Sequence, residues 1–350
     1  MLLLTDEEIG SLTTVRDCVD VMESAYRDLA EGRAVEEPRE RMFVDNQGDG
    51  HVYALGRQCG ALPCSGISAL RVMSGRRGAA RNPHDHHLVF LFGLEHGELQ
   101  AILQGFTLSG LRLGATTAIA AKYLARKDAE QVGVFGSGKQ ARANLEGIVA
   151  VTRIKRALVF SPNPSHRNLF CDEMGHRLGI ELVPVEKPKD VLNCSEIVLC
   201  ASNAWEPIFD GNWVEEGALV ISLRNSDRQK RPREFDETTI KRSSFVVVCS
   251  KKQIHLDDQR ELLDPIERGA TTWHKIYELA DLVAGKVPGR ESPKEIVFYH
   301  SNAGMGVQFA AAGFKALEMA RKVGAGRNLP DGWFFTDLTP WWNLGFRPTP

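Results

Sequence analysis

No stretch of this sequence holds the roughly 18 consecutive apolar residues that a membrane-spanning helix needs, and the opening run MLLL already ends at Thr5. A soluble, cytoplasmic protein is the expectation. Charge of one sign is also missing. The 43 Lys and Arg stand against 45 Asp and Glu, a formal charge of -2, so no global field favours nucleic acid or an acidic membrane. Cysteine is sparse and odd in number. Cys18, Cys59, Cys64, Cys171, Cys194, Cys200 and Cys249 contain no C-x-x-C pair, which argues against a disulfide framework or a zinc knot and for reduced packing residues. The 350 residues are otherwise ordinary, 43% hydrophobic and 25% charged, enough for two cores.

The rhythm of the chain changes along its length. Thr5 to Glu8 has the form of a capping box, and Ile9, Leu12, Val15, Val19, Met22 and Tyr26 recur at helical spacing, so the chain is expected to open with helices. Between Glu40 and Leu91, short apolar runs broken by Gly and Pro (RMFV, HVYALG, SGISALRVM, HHLVFLF, then LQAIL) predict an antiparallel sheet. Ser109 to Arg126 reads as a long packed helix. From Glu130 to Ser250, strands QVGVF, RALVF, IELVPV, EIVLCAS, ALVISL and SFVVVCS alternate with helices from Lys139 and Ser165, the succession of a parallel α/β sheet. A further strand, EIVFYH, precedes a helix of small residues that is expected to return to the first domain. The fold class is therefore α/β. A Rossmann-like dinucleotide-binding domain over 113–302 is inserted in an α+β substrate domain made of 1–112 and 303–350. The tail carries Trp333, Phe334, Phe335, Trp341, Trp342 and Phe346, which predicts docking on its own chain or on a partner subunit.

Within VGVFGSGKQARANLE, Gly136, Gly138 and Ala141 make a G-x-G-x-x-A loop directly after an apolar strand and at the start of a helix. The first glycine permits the tight turn, the second lets backbone approach a pyrophosphate, and Ala141 allows close helix packing. Ser137, Lys139 and Gln140 belong to the same cofactor loop, and Ser202, ending EIVLCAS, is a further candidate. An NAD site carries an acid about 20 residues on, at the end of the second strand, to bind the ribose hydroxyls. Here that place is Ser161. With no carboxylate to repel a 2′-phosphate, and with Asn163, His166 and Arg167 nearby, NADP(H) is favoured over NAD(H). Arg167 as a solvated helix residue is the competing reading.

SGLRLGATTAIAAKYLAR and FGSGKQARANLE, with EPIFDGNWVEEGALVISL and VFYHSNAGMGVQFAAA, resemble the ornithine cyclodeaminase and mu-crystallin family. The resemblance spans most of the chain and leaves out the aromatic tail. It implies that Arg112, at the start of the long helix, binds a substrate carboxylate, for which a guanidinium fork is the natural partner. It implies a second arginine on an early strand after a proline, Arg39 or, preferably, Arg41. It implies that Asp227, after the fifth strand of the nucleotide domain, exchanges a proton with a substrate nitrogen. A loop aspartate paired with Arg224 or Arg228 is the alternative for Asp227, and surface salt bridges are the alternative for the arginines. The sequence also departs from the family. Leu70 and Arg71 stand where a Leu-Lys pair is usual, Phe309 follows Gln308 where Asp is common, and Leu113 replaces a threonine. Arg71, unlike a buried Lys, cannot act as a base.

Arg71, Arg76, Arg77 and Arg81 form an unusual concentration of cations that suits a substrate with a second anionic group or, alternatively, lines a solvated loop. His84, His86 and His87 lack supporting ligands and read as structural or surface residues, so no metal is expected. The resemblance implies hydride transfer between NADP(H) and the α-carbon of an amino acid or its imine, in a homodimer formed through the substrate domain. Arg112 and Arg71 then fix the carboxylate. A cyclodeaminase with recycled NAD(H), or a non-catalytic NADP-linked binding protein of mu-crystallin type, are the alternatives.

Overall fold

The computed structural model describes residues 1–45, 52–77 and 85–334. Its first element is a strand rather than a helix. β1 (Leu2–Leu4) runs parallel to β6 (Leu99–Gln104), pairing Leu2 with Ala101, because three consecutive leucines fill a sheet position buried on both sides. Helix α1 (Asp6–Leu12) then starts from the expected Thr5–Glu8 capping box, and α2 (Val15–Ala30) starts from a second box, Thr14–Asp17. The middle of the first sheet is an antiparallel meander, β2 (Val35–Asp45), β3 (Val52–Leu62), β4 (Ile67–Arg77) and β5 (His86–Gly93), closing on β6. The register of β2 slips between Glu37 and Glu40, around Pro38, which has no N–H to give to a ladder.

Helix α3 (Gly105–Leu124) is unbroken and mostly buried, and it packs on α2 and on the nucleotide-side helix α4 (Lys139–Val151). The boundary expected after residue 112 falls inside it.

The second sheet takes its strands from 131–300: β7 (Gln131–Phe135), β8 (Arg156–Phe160), β9 (Glu181–Pro184), β10 (Ile197–Cys200), β11 (Leu219–Ser222), β12 (Phe245–Val248), β13 (Ile276–Glu278) and β14 (Val297–His300). All pairs are parallel, in the order β13-β12-β14-β11-β10-β7-β8-β9. Helix α5 (Pro164–Leu178) follows β8, and the short helices α6 (Glu237–Arg242), α7 (Lys251–Leu256), α8 (Arg260–Glu267) and α9 (Leu279–Val283) fill later crossovers. Strand order reverses between β7 and β10, so a crevice opens outside their carboxyl ends.

From β14 the chain crosses back as α10 (Gly306–Val323), which lies on β3 and β4 and against α2. A last strand, β15 (Arg327–Asn328), pairs with β1. Trp333 is 71% and Phe334 47% exposed, so these two do not dock on their own chain. Phe335, Trp341, Trp342 and Phe346 lie outside the described residues. No helix among the described residues is long and apolar enough to cross a membrane.

The return of α10 depends on backbone meeting backbone. A Cβ on Gly306 would stand 1.9 Å from the Cys59 carbonyl carbon, and one on Gly60 2.2 Å from the Val307 nitrogen. Gly306→Ala is therefore expected to push α10 off β3 and to cost about 3 kcal/mol of stability, read by denaturant unfolding. An unchanged midpoint would show that the contact is dispensable.

Candidate active site

The crevice at the strand reversal is a cleft of roughly 750 Å³, lined by the β7–α4 loop, the end of β8, the loops after β10 and β11, and the first turns of α3. Gly136 has φ +112°, and a Cβ there would lie 2.3 Å from the Ala201 carbonyl oxygen, so only glycine makes this turn. Gly138 is different, because nothing lies within 4 Å of where its Cβ would be. The open side faces the cleft at the N-terminus of the 13-residue helix α4, whose unpaired N–H groups suit a phosphate. The residues present thus fit a dinucleotide pyrophosphate.

Ser137, Lys139, Gln140, Ser161 and Ser202 also line the cleft, while Ala141 is buried beneath it. The Ser137 hydroxyl donates to that of Ser161 at 3.0 Å. Asn163 caps α5 by accepting from the His166 N–H, and the buried Arg167 donates to the Ser161 carbonyl at 3.1 Å, so neither lines the cleft. His166 does. Lys139 reaches the Phe106 carbonyl at the start of α3; burial, opposed by Asp6 and aided by the Arg112 charge, pushes its ammonium down to about 8.

Two buried acids, neither part of any motif, hold the loops after β10 and β11. Glu234, fully buried, accepts from the Ser202 N–H and hydroxyl at 2.6 and 2.8 Å, the Ser222 hydroxyl at 3.0 Å, and the Leu223 and Arg224 N–H groups at 3.2 and 3.1 Å. Glu261 accepts the Ser226 N–H at 2.9 Å and its hydroxyl, and lies 3.2 Å from His300 Nε2. Burial alone would raise the Glu261 carboxyl, but His300 and Ser226 hold it below its ordinary range. These bonds fix the loop that carries Asp227.

Beside the cleft, the alternation of β4 places Arg71 and Arg77 on one face, opposite Gln58 and Val52 of β3. Arg71 is buried on this strand, not in a solvated loop. It donates to Gln58 Oε1 at 2.9 Å and lies 2.9 Å from His87 Nδ1, an arrangement that needs a neutral His87. Burial and the Arg71 charge hold the His87 imidazolium low. Arg112, half-buried with its Nε enclosed, donates to Gln308 Oε1 at 2.8 Å, and Gln308 Nε2 donates to the Tyr26 hydroxyl at 2.7 Å. Both guanidiniums lie over the Phe309 ring, at 5.3 and 5.1 Å from its centroid. Neither has a carboxylate within salt-bridge reach among the described residues, and each leaves a buried Nε–H unbonded. Burial pushes Arg112 down to about 10; burial with the Arg112, Arg39 and Arg41 charges pushes Arg71 to about 9.

Asp227 is buried as well. It pairs with neither Arg224 nor Arg228 but accepts from Arg77 at 2.9 Å and Arg41 at 3.1 Å, both on Oδ2, and from the Gln229 and Lys230 N–H groups on Oδ1. Burial alone would raise its carboxyl; the Arg77 hydrogen bond, the Arg41 charge and the Gln229 N–H outweigh it and hold the group below its usual range. Arg41 and Arg39 meet on Asp257, Arg41 at 3.3 Å. Arg76 is exposed, as is His86, while Arg81 and His84 lie outside the described residues.

With this geometry, comparison with known proteins is decisive about ancestry. The model of the ornithine cyclodeaminase/mu-crystallin family matches residues 1–320. The chain belongs to this family. A solved structure of Thermococcus litoralis Δ1-pyrroline-2-carboxylate reductase, in complex with NADH and L-proline, is 29% identical with a TM-score of 0.84, covering 94% of this chain and 100% of that one. Bacillus cereus Δ1-pyrroline-2-carboxylate reductase is 24% identical over 94% of this chain and 99% of its own. Paracoccus denitrificans iminosuccinate reductase is 25% identical over 94% and 99%.

Arg41 and Asp227, candidates from distant segments, thus meet in one ion pair, while Arg71 and Arg112 share the Phe309 ring. Gln58, Glu234, Asp257 and Glu261 carry no signal in the sequence, because a single buried acid or amide has no periodicity or motif, and His87, expected as a structural or surface residue, lies against Arg71. All seven cysteines are unpaired, with Cys64 and Cys194 exposed instead of packed. Removing the carboxylate in Glu234→Ala leaves five donors without their acceptor and is expected to cost about 3–5 kcal/mol and to loosen the cleft. Denaturant unfolding and a cofactor fluorescence titration check this; wild-type values in both would show that Glu234 does not hold the loops.

Proposed function

We propose that this protein is a nicotinamide-dependent oxidoreductase that reduces the C=N bond of an imino acid, or runs the reverse oxidation of the amino acid. The observation that carries the reading is the pair of guanidiniums, Arg71 and Arg112, each with an enclosed Nε–H and no carboxylate in reach among the described residues, next to a cleft that fits a dinucleotide. A substrate carboxylate supplies the missing partner, and fixing it orients the adjacent α-carbon. A reduced nicotinamide dinucleotide held by the loop 136–140 would supply the hydride for that carbon. The nitrogen takes one proton, for which Asp227 is the carrier we infer. Asp227 rests ionised against Arg77 and Arg41, so it also stabilises a cationic imine nitrogen. The relatives named as imine reductases support this reading.

We infer NADP(H) as the cofactor of choice. The Ser161 hydroxyl stands where a carboxylate would repel a 2′-phosphate, and His166 and the first turn of α5 offer donors. NAD(H) complexes among the solved relatives argue for testing both. A homodimer through the substrate domain is supported by the 11-residue edge strand β2, on which Val35, Met42 and Val44 are exposed. Unpaired thiols fit a cytoplasmic setting.

The decisive assay mixes protein, NADPH or NADH, and a panel of cyclic imines and of 2-oxo acids with ammonia, following loss of reduced-cofactor absorbance. Consumption is expected; cofactor binding without consumption across the panel would sink the reading. Arg112→Ala should raise KM about 30-fold. Asp227→Asn should instead lower kcat about 100-fold, and normal rates in both would refute the assignment. Ser161→Asp should cut kcat/KM with NADPH about 100-fold and favour NADH; an unchanged ratio would remove Ser161 from cofactor choice.

A further inference from the structure

Charge at the site does not balance. Arg39, Arg41, Arg71, Arg77 and Arg112 gather on β2, β4 and α3, and the carboxylates that meet them are Asp227 and Asp257. The two groups divide cleanly. Among the described residues Arg71 and Arg112 meet only neutral partners, Gln58, His87 and Gln308, and both lie over the Phe309 ring. Among the described residues Arg39, Arg41 and Arg77 pair with two carboxylates, Asp227 and Asp257, so three cations meet two anions. A substrate with a single carboxylate answers the first group alone.

We propose that the substrate carries two acidic groups, its α-carboxylate between Arg71 and Arg112 and a side-chain carboxylate reaching Arg41 and Arg77. This rests on the imine-reductase reading and names its substrate class, the imine of a dicarboxylic 2-oxo acid. The second group does more than add affinity. Arg41 and Arg77 both hold Asp227 Oδ2, which makes that carboxylate a poor proton donor in the free protein. An anionic arm that draws on these guanidiniums weakens their hold on Asp227 and frees it to take and give a proton. Specificity and proton transfer thus share one pair of arginines. Arg77 is suited to the task, because it sits at the end of β4 over the Phe43 ring, at 5.1 Å, and is more open than Arg41.

The test compares chain-length-matched substrates with ammonia and reduced cofactor: oxaloacetate against 2-oxobutyrate, and 2-oxoglutarate against 2-oxopentanoate. The better dicarboxylate is expected to exceed its partner in kcat/KM by about 100-fold. In calorimetry with oxidised cofactor present, L-aspartate or L-glutamate should bind at least about tenfold tighter than the isosteric amide, L-asparagine or L-glutamine. Arg77→Gln should collapse the dicarboxylate preference to about threefold, and Arg77→Lys should restore part of it. If imines of monocarboxylic acids are reduced as well as or better than their dicarboxylic partners, this inference is overturned and the reductase reading stands. If no imine or 2-oxo acid consumes either cofactor, both fall.

Discussion

A buried cation without an anion is an unfinished interaction, and the architecture around the site follows from it. Taking guanidinium groups out of water is costly unless charge or hydrogen bonds replace the lost solvent. Arg71 and Arg112 donate hydrogen bonds that aim them and lie over an aromatic face, but meet no countercharge among the described residues. Neutral acceptors orient a cation without quenching it. The residual demand is for a bound anion, which is how a folded surface turns burial into selectivity.

Carboxylates elsewhere in the molecule play the opposite part. Glu234 and Glu261 are buried with their acceptor sites met by backbone N–H groups, serine hydroxyls and His300, so nothing remains for a ligand. Their effect is rigidity at the carboxyl ends of β10 and β11, the part of a parallel sheet where backbone would otherwise be loose. Asp227 stands between these cases. Its Oδ1 is committed to two N–H groups of its own turn, while Oδ2 is shared by two arginines from another sheet. That division leaves one oxygen whose surroundings a substrate changes.

The closeness of the two sheets at this point is a packing result. Helix α3 carries Arg112 within an unbroken rod that touches both halves, and α10 brings Gln308 and Phe309 back only because Gly60 and Gly306 let a strand and a helix meet backbone to backbone. The same crossing ties Tyr26 of α2 to Gln308, so elements nearly 300 residues apart in sequence share one hydrogen-bond chain.

Local chemistry is legible from the order of residues alone. Gly136, Gly138 and Ala141 sit between an apolar strand and a helix, Thr5 and Glu8 close a cap, and the meander and parallel strands announce themselves by period and by Gly and Pro punctuation. The likeness to a family then pointed to Arg41, Arg71, Arg112 and Asp227. How these residues meet follows from packing. MLLL became a strand because a partner, β6, was available to bury it, and β13 has three residues and no periodicity to read. Asp227 was given Arg41 and Arg77 as partners instead of its neighbours Arg224 and Arg228, because strand pairing sets distance in space while sequence offers only distance along the chain. Asn163 and Arg167, plausible cofactor donors by position, were spent on a helix cap and a carbonyl. Burial, and with it the value of each charge, is a property of the packed molecule that no single residue carries.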